Sequence, residues 1–588
     1  MKSAPIMRAS VARVCLLLLA LVSVASVLMA QTGGTSIDTV DTIVGHVEVP
    51  AGESTANATV VAFPFGGGAG SARVIAKLDS AGNFRISGLQ PGLYSVNASV
   101  PGLIPSPNPI AEARRFYRPG DTVNLPFTRG GVITGKVINA ANAPMVATPV
   151  RFLRVADAEG KKLPMPFLLG ETLTDDRGIY RRFGLPEGTY LVSTGGRSSI
   201  GPYVSLPYAS DIPTYAPSST RDTAAEFVVR SGEEVTVDIQ YRREAGHTIS
   251  GAVAGLTESQ TALVATAFIS LVDVKNRTSI VNTGASTYTN LGYEISGLPD
   301  GEYELTATQG DQMSDPVRVT VSGEDVAGVN LSLHSLATIS GHVVFETDPK
   351  LDCAKRRATA RQEMMITARR LSAPETADRN KRETAAGVPV LYQNVSRDAG
   401  LDEKSDFIIK SLPKGGYWII PQPPDPGWFV RSIEVARTAA ARSNVARDGV
   451  AVGAGERFST VTVTITDGAA GLKGRVTLQK GEQLPPRLRF YLVPAEKESS
   501  EDILRYFETG VQRDGSFTLA NIAPGQYLAV TRPAEDGDTG SVKSIKRDAA
   551  LRAAIFKAAT ALKHQVAFKP CEQNSDFQLS LTSSTSPQ

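Results

Sequence analysis

Metal-assisted hydrolysis needs a His and a Glu three residues apart, plus a distant His, to hold zinc and leave one position open. The chain has five histidines, His46, His247, His334, His342 and His564. Three residues beyond them stand Val49, Ser250, Ala337, Phe345 and Ala567, and none can complete such a site. His46 and His342 hold the same place in two similar strands and read as outward strand residues. No Gly-x-Ser-x-Gly elbow presents a serine nucleophile. The run "FGGGAGSA" (65–72) lacks the Lys-Ser/Thr of a phosphate loop and reads as a flexible loop. "DDRG" and "RDGS" hold too few carboxylates for calcium and read as turns. The expectation is no catalytic residue, no metal and no cofactor.

Two weaker chemistries remain. Cys353 and Cys571 are the cysteines left after an N-terminal export signal, and a disulfide is permitted outside the cytoplasm. The sequence does not fix whether their Cα atoms approach closely enough to pair. Sugar binding needs exposed aromatic faces. The candidates are Phe116 and Tyr117, then Tyr203, Tyr208 and Tyr215 in a Pro-, Ser- and Tyr-rich loop (196–225), then Trp418 and Trp428. Against them, aromatics in sandwiches belong more often to the core. Trp418 directly follows Tyr417 and can pack on a sheet, and Trp428 in "PGWFVRSIEV" can anchor a strand start.

The elements that carry these residues come from a repeat. "DSAGNFRISGLQPGLYSVN" (79–97) returns as "TDDRGIYRRFGLPEGTYLV" (174–192), "TNLGYEISGLPDGEYEL" (289–305), "KSDFIIKSLPKGGYWI" (404–419) and "QRDGSFTLANIAPGQYLAV" (512–530). An aromatic is followed five residues later by Leu or Ile, and five later again by Tyr. The triplets are Phe84/Leu89/Tyr94, Tyr180/Leu185/Tyr190, Tyr293/Leu298/Tyr303, Phe407/Leu412/Tyr417 and Phe517/Ile522/Tyr527. Gly92, Gly188, Gly301, Gly415 and Gly525 stand two residues before each final Tyr. An odd interval puts the aromatic and the Leu on opposite faces of a straight strand, so a bend near Ser87-Gly88 must re-aim the chain. A buried Tyr tied to nearby backbone would make a corner of the kind sandwiches use. Each unit opens on an "I-x-G-x-V"-like strand (43–47, 133–137, 249–253, 339–343, 472–476) and closes on an alternating one (122–127, 236–241, 328–333, 462–467, 576–581).

The signature G-x-F-x-I-x-G-L-x-P-G-x-Y-x-V resembles bacterial carboxypeptidase regulatory-like domains, relatives of collagen-adhesin B-type (Cna-B-like) and transthyretin-like (prealbumin-like) sandwiches. The resemblance spans about residues 41–583, and the layout is similar to exported proteins of Gram-negative bacteria. It implies a module without chemistry of its own, serving as stalk, spacer, adhesion module or receptor extension. Related sandwiches include starch-binding domains, so it also implies carbohydrate binding. Adhesin-type relatives can form a Lys–Asn isopeptide bond beside an acid four residues after the motif Tyr. Here those positions are Ala98, Thr194, Ala307, Pro421 and Thr531, so no such bond is expected.

The expected fold is all-β, a tandem array of about five Ig-like or prealbumin-like β-sandwich domains with a C-terminal helix in the last. The expected boundaries are a signal peptide at 1–30, then units at 41–130, 131–245, 246–335, 336–467 and 468–585. The helix is expected at 548–563, with Asp548 as cap and Leu551, Ile555, Ala559 and Leu562 as its apolar stripe. Residues 372–388 read as a polar loop. The 588 residues hold 53 Gly and 36 Pro, which suits short strands and tight turns, and a net charge of +2 leaves no basic footprint for nucleic acid. The expected function is a non-catalytic exported scaffold for structure, adhesion or protein interaction in the cell envelope, whether periplasmic, outer-surface or secreted. Its partner would be an envelope protein or a polysaccharide, and no membrane span follows the signal. The alternative is a carbohydrate-binding protein. The units read as a line of independent modules.

Overall fold

A computed structural model describes residues 41–66, 72–106, 116–196, 208–256, 266–286, 290–351, 353, 360–371, 396–438, 441–477, 484–485, 487–512, 514–535 and 542–580. The export signal, Tyr203, most of the glycine run and the polar segment 372–388 lie outside the described residues.

The first, second and fourth repeats begin at an aspartate that closes its own turn. The Asp79 carboxylate accepts from the backbone N–H of Ala81 (2.9 Å) and Asn83 (2.8 Å). Asp175 does the same for Arg177 and Ile179, and Asp402 for Lys404 and Asp406. In each case one carboxylate oxygen, Oδ1, accepts both backbone bonds, which accounts for the acidic residues there. The strand that follows carries the motif aromatic, then bends. The bend residue has positive φ in all five repeats: Gly88 (76°), Gly184 (72°), Gly297 (76°), Ser411 (58°) and Asn521 (59°). Pairing with the opening strand slips at this point, for example between Ala337/Leu412 and Ile339/Ile409. That bulge puts Phe407 and Leu412 into one core despite their odd spacing.

The topology is the same in each module. The opening strand lies between the motif strand, antiparallel, and the closing strand, parallel. Ile43–Glu48 pairs with Asn83–Ile86 and with Thr122–Arg129. Gly131–Ile138 pairs with Ile179–Leu185 and Glu234–Thr236. His247–Ala254, Ala337–Glu346 and Ala470–Thr477 repeat the pattern. The second sheet of each module is built on the strand that begins near the motif Tyr, such as Tyr94–Ser99 beside Thr59–Pro64. The protein is thus all-β, a tandem array of five sandwiches: four have two separate sheets, and in the third Gln312–Ser314 joins the two layers into one eight-stranded sheet.

Cores follow the modules. They run from Ile43 to Phe127, Ile133 to Tyr241, Ile249 to Leu333, Ala337 to Ile465 and Ala470 to Leu579. Ile503 of the last module is buried in the fourth core, and Phe429 of the fourth packs on the last. A smaller core joins Tyr491, Tyr506 and Ile545 to one helix, Ala549–Leu562. Asp548 caps it by accepting from Leu551 N–H at 2.7 Å. Leu551, Ile555 and Ala559 are buried, but Leu562 is 40% exposed. It was expected in the stripe; it lies in the last turn, beside the left-handed Lys563 that stops the helix, and misses the sheet.

The modules are not independent beads. Single residues, Gly130 and Leu336, separate consecutive strands at the first and third joints. Gly246 N–H donates to Ser210 O (3.0 Å) across the second joint. Lys414 reaches Asp315 (2.9 Å) across the third. At the fourth, Asn521 Nδ2 donates to the carbonyls of Asp425 (2.8 Å) and Trp428 (2.7 Å). Then the chain doubles back. Arg118 of the first module donates to the carbonyls of Glu363 (3.2 Å) and Pro423 (2.8 Å) in the fourth. The first four modules therefore form a closed loop rather than a line.

Candidate functional site

The five motif tyrosines make one and the same bond. Each hydroxyl donates to the carbonyl four residues earlier: Tyr94 to Gln90 (2.8 Å), Tyr190 to Pro186 (2.5 Å), Tyr303 to Pro299 (2.7 Å), Tyr417 to Pro413 (2.6 Å) and Tyr527 to Ala523 (2.7 Å). The rings are buried, and burial raises all five phenol pKa values, Tyr527 to about 12. A buried phenol held neutral and donating to backbone is a fastener, with no acid or base of ordinary reactivity to offer.

In three modules an arginine completes the corner, which the sequence did not signal. Arg370 Nη2 donates to Lys414 O (2.7 Å) and Arg505 Nη2 to Pro524 O (2.9 Å), while Arg154 reaches Glu187 O. The same guanidinium groups lie over the rings of Tyr417 (5.6 Å) and Tyr527 (5.5 Å). Gly415, at φ 148°, leaves the space: a Cβ there would strike Arg370.

The opening-strand glycine has a matching task. The motif ring lies over it, and the closing strand passes alongside. Tyr293 Oη donates to Val329 O (2.6 Å), and Tyr180 Oη donates to Val237 O at the equivalent place.

The aromatics considered for sugar binding do not form one platform. Trp428 is half-buried edge-on to Phe345 (5.4 Å) and packs on the fourth core. Trp418 is half-buried on the strand Gly415–Gln422, opposite Arg369. Phe116 rests on Phe65 (4.5 Å), and Tyr117 packs on the first core. Tyr208 packs edge-on to Tyr241 (5.3 Å). Tyr215 is half-buried as well. It lines a cleft of about 730 Å³ between the second and third modules.

That cleft takes Arg151, Tyr215, Arg221, Asp222 and Glu244 from the second module and Asp273, Lys275, Thr278, Asp300 and Glu302 from the third. Two bonds span it: Lys275 to Asp222 (2.8 Å) and Arg221 Nη2 to Thr278 Oγ1 (2.9 Å). Arg151 sits deep against Glu171 (3.7 Å), and its desolvation lowers its pKa. Sequence reading found only Tyr215, because the other groups are ordinary turn residues until two modules meet.

Cys353 and Cys571 are bonded, with Cα atoms 5.4 Å apart across 218 residues of chain, and join the fourth module to the fifth. His342 Nδ1 donates to the Asp406 carboxylate (2.8 Å), and His46 Nδ1 donates to Asn83 Oδ1 (3.1 Å), both between paired strands. Among the described residues no group of three His, Cys, Asp or Glu could hold a metal ion. Among them, too, no helix is long and apolar enough to cross a membrane.

No family model matches the chain, and no curated protein matches it. Solved structures that the chain matches include the Bacillus anthracis TIE protein, at 12% identity over 77% of this chain and 74% of that one (TM-score 0.14). Two B repeat units of the Staphylococcus aureus collagen-binding protein match at 11% over 71% and 98% (TM-score 0.15). The major pilin subunit of Bacillus cereus matches at 11% over 77% and 99% (TM-score 0.13). At these values the likeness identifies no family, and neither fold nor function is argued from it.

Proposed function

We propose that the chain is a non-catalytic exported scaffold of the cell envelope, built from carboxypeptidase regulatory-like modules at 41–130, 131–245, 246–335, 336–467 and 468–585. It holds surfaces at fixed spacing for structure, adhesion or protein interaction. The observation that supports this is the way the modules are joined. One-residue joints at the first and third seams, and side-chain bonds across all four, suit a body that transmits force or sets distance, and a flexible tether would need longer linkers. Its partner is an envelope protein or polysaccharide, met on an exposed sheet edge or a face of the array.

Fractionation of a producing bacterium, with N-terminal sequencing of the mature chain, tests the proposal. A mature chain in the periplasm, on the surface or in the medium, starting after Ala30 or Ala25, supports it. An uncleaved chain retained in the cytoplasm, or purified protein that hydrolyses peptide or glycan, overturns it.

A further inference from the structure

The second and third modules enclose a cleft of about 730 Å³, in the range of small-molecule sites. Its charged groups mostly find each other. Lys275 pairs with Asp222 (2.8 Å), Arg151 with Glu171 (3.7 Å) and Glu244 with Arg242. Asp273 accepts from Asn276 N–H (3.0 Å), and Asp300 from Gly323 N–H (2.8 Å) beside His247 (3.5 Å). Arg221 is the exception among the cations. It is half-buried, forms no ion pair among the described residues, and spends one Nη2 donor on the neutral Thr278 hydroxyl (2.9 Å). The rest of its planar fork of donors is free. The hydroxyl of half-buried Tyr215 has no partner among the described residues either.

A half-buried guanidinium without a carboxylate is an anchor for one, since Arg meets a carboxylate through two parallel bonds. The opposite wall selects among carboxylates. Asp300 and Glu302 of the third module stand exposed along the cleft and repel a second negative charge, so a dicarboxylate or a phosphate fits badly. They suit a ligand whose far end is an ammonium. Leu168, Ile212, Pro213 and Pro299 add apolar surface on which short side chains can rest. A carboxylate, an apolar middle and an ammonium together describe a short peptide with free termini.

We propose that this cleft binds a short peptide with free termini, its carboxylate on Arg221 and the Tyr215 hydroxyl and its ammonium toward Asp300 and Glu302. The inference goes beyond the scaffold role and does not rest on it. Titration calorimetry of the full mature chain with trialanine and trileucine tests it, with glutarate as a dicarboxylate control. At least one tripeptide should bind with Kd below about 1 mM. Amidating the C-terminus of that peptide, or acetylating its N-terminus, should weaken binding at least about tenfold, and both comparisons use the unaltered protein. Arg221→Gln, which keeps a donor for Thr278, should weaken the free-acid peptide by a similar factor. Binding of neither tripeptide overturns the proposal. So does an amidated or acetylated peptide that binds as well as the free one, glutarate that binds more tightly than either, or free-acid binding untouched by Arg221→Gln.

Discussion

The ring of Phe407 lies directly over Gly341, so close that a Cβ on that glycine would fall 2.7 Å from Cζ and overlap the Val461 carbonyl oxygen. The glycine of each opening strand is therefore a seat, for the motif aromatic on one side and the parallel closing strand on the other. Gly45 and Gly474 repeat the contact with Phe84 and Phe517. Gly341→Ala should cost the fourth module about 2–3 kcal/mol, since neither a ring nor a strand backbone can yield cheaply. Gly510→Ala, which meets nothing within 4 Å, should change stability by less than about 0.5 kcal/mol. Urea unfolding followed by fluorescence, with Trp418 and Trp428 both reporting on the fourth module, checks the pair.

The buried phenols give the array an alkaline limit. Desolvation, the leading cause at each corner, lifts the folded-state pKa of Tyr527 from 10 to about 12 and raises those of Tyr94 and Tyr417. Below pH about 10 the phenol is protonated in both states, and its contribution is fully present. Between 10 and 12 the unfolded chain ionises first, so stability falls as pH rises through that window. Lys546 works the other way: burial lowers its pKa to about 8, so between that value and 10.5 its neutralisation favours the folded state. Tyr527→Phe should cost about 1 kcal/mol at neutral pH and flatten the alkaline loss. Urea midpoints across the alkaline range, alongside tyrosinate absorbance, distinguish this from a general charge effect. A midpoint that holds steady above pH 10 would contradict it.

The fold was legible because its signals are local. The aromatic, the Leu and the Tyr recur at fixed spacing because a strand, a bulge and a corner each span only a few residues. The bend was readable at Gly88, where glycine marks a positive φ. It was hidden at Ser411 and Asn521, where the bulge is held by its neighbours and the residue simply tolerates the conformation. The arginines at 154, 370 and 505 were invisible for another reason. They come from strands or turns far along the chain, and their spacing to the motif varies with loop length. The cleft was least legible: Glu302 and Tyr215 are 87 positions apart in sequence and meet only through module packing. Trp428 was ambiguous because a tryptophan at a strand start fits core and surface equally well; in the fold it is half-buried against Phe345.

The Cys353–Cys571 bond should stabilise the fifth module through its neighbour. Cys571 follows the strand Gln565–Phe568, and its N–H donates to Gly468 O (2.9 Å) at the joint between the two modules. Cutting the link frees the closing strand Gln573–Ser580 at its leading end. Cys353→Ser with Cys571→Ser should cost about 2–5 kcal/mol, felt in the fifth module before the other four. Limited proteolysis with mass mapping reads this directly. First cleavage within residues 470–580 supports it, and cleavage spread evenly over all modules refutes it.

Arg118 is one of the groups that close the loop. Its guanidinium donates to two backbone carbonyls of the fourth module, Glu363 and Pro423. Nearby, the Phe65 ring lies within 4 Å of the space a side chain at Gly400 would occupy. Hydrogen bonds from a charged donor contribute about 1.5–3 kcal/mol, and opposing them is the entropy gained when the first module swings free of the fourth. Arg118→Ala removes the bonds and leaves every sandwich core intact, since Arg118 belongs to none of them. The variant should therefore unfold as the wild type does, yet scatter as a larger particle. Small-angle scattering would show a raised radius of gyration for Arg118→Ala, and Arg118→Lys should fall between, keeping charge but losing the fork that meets two carbonyls. An unchanged radius in both would mean that the loop stays shut by apolar contact alone.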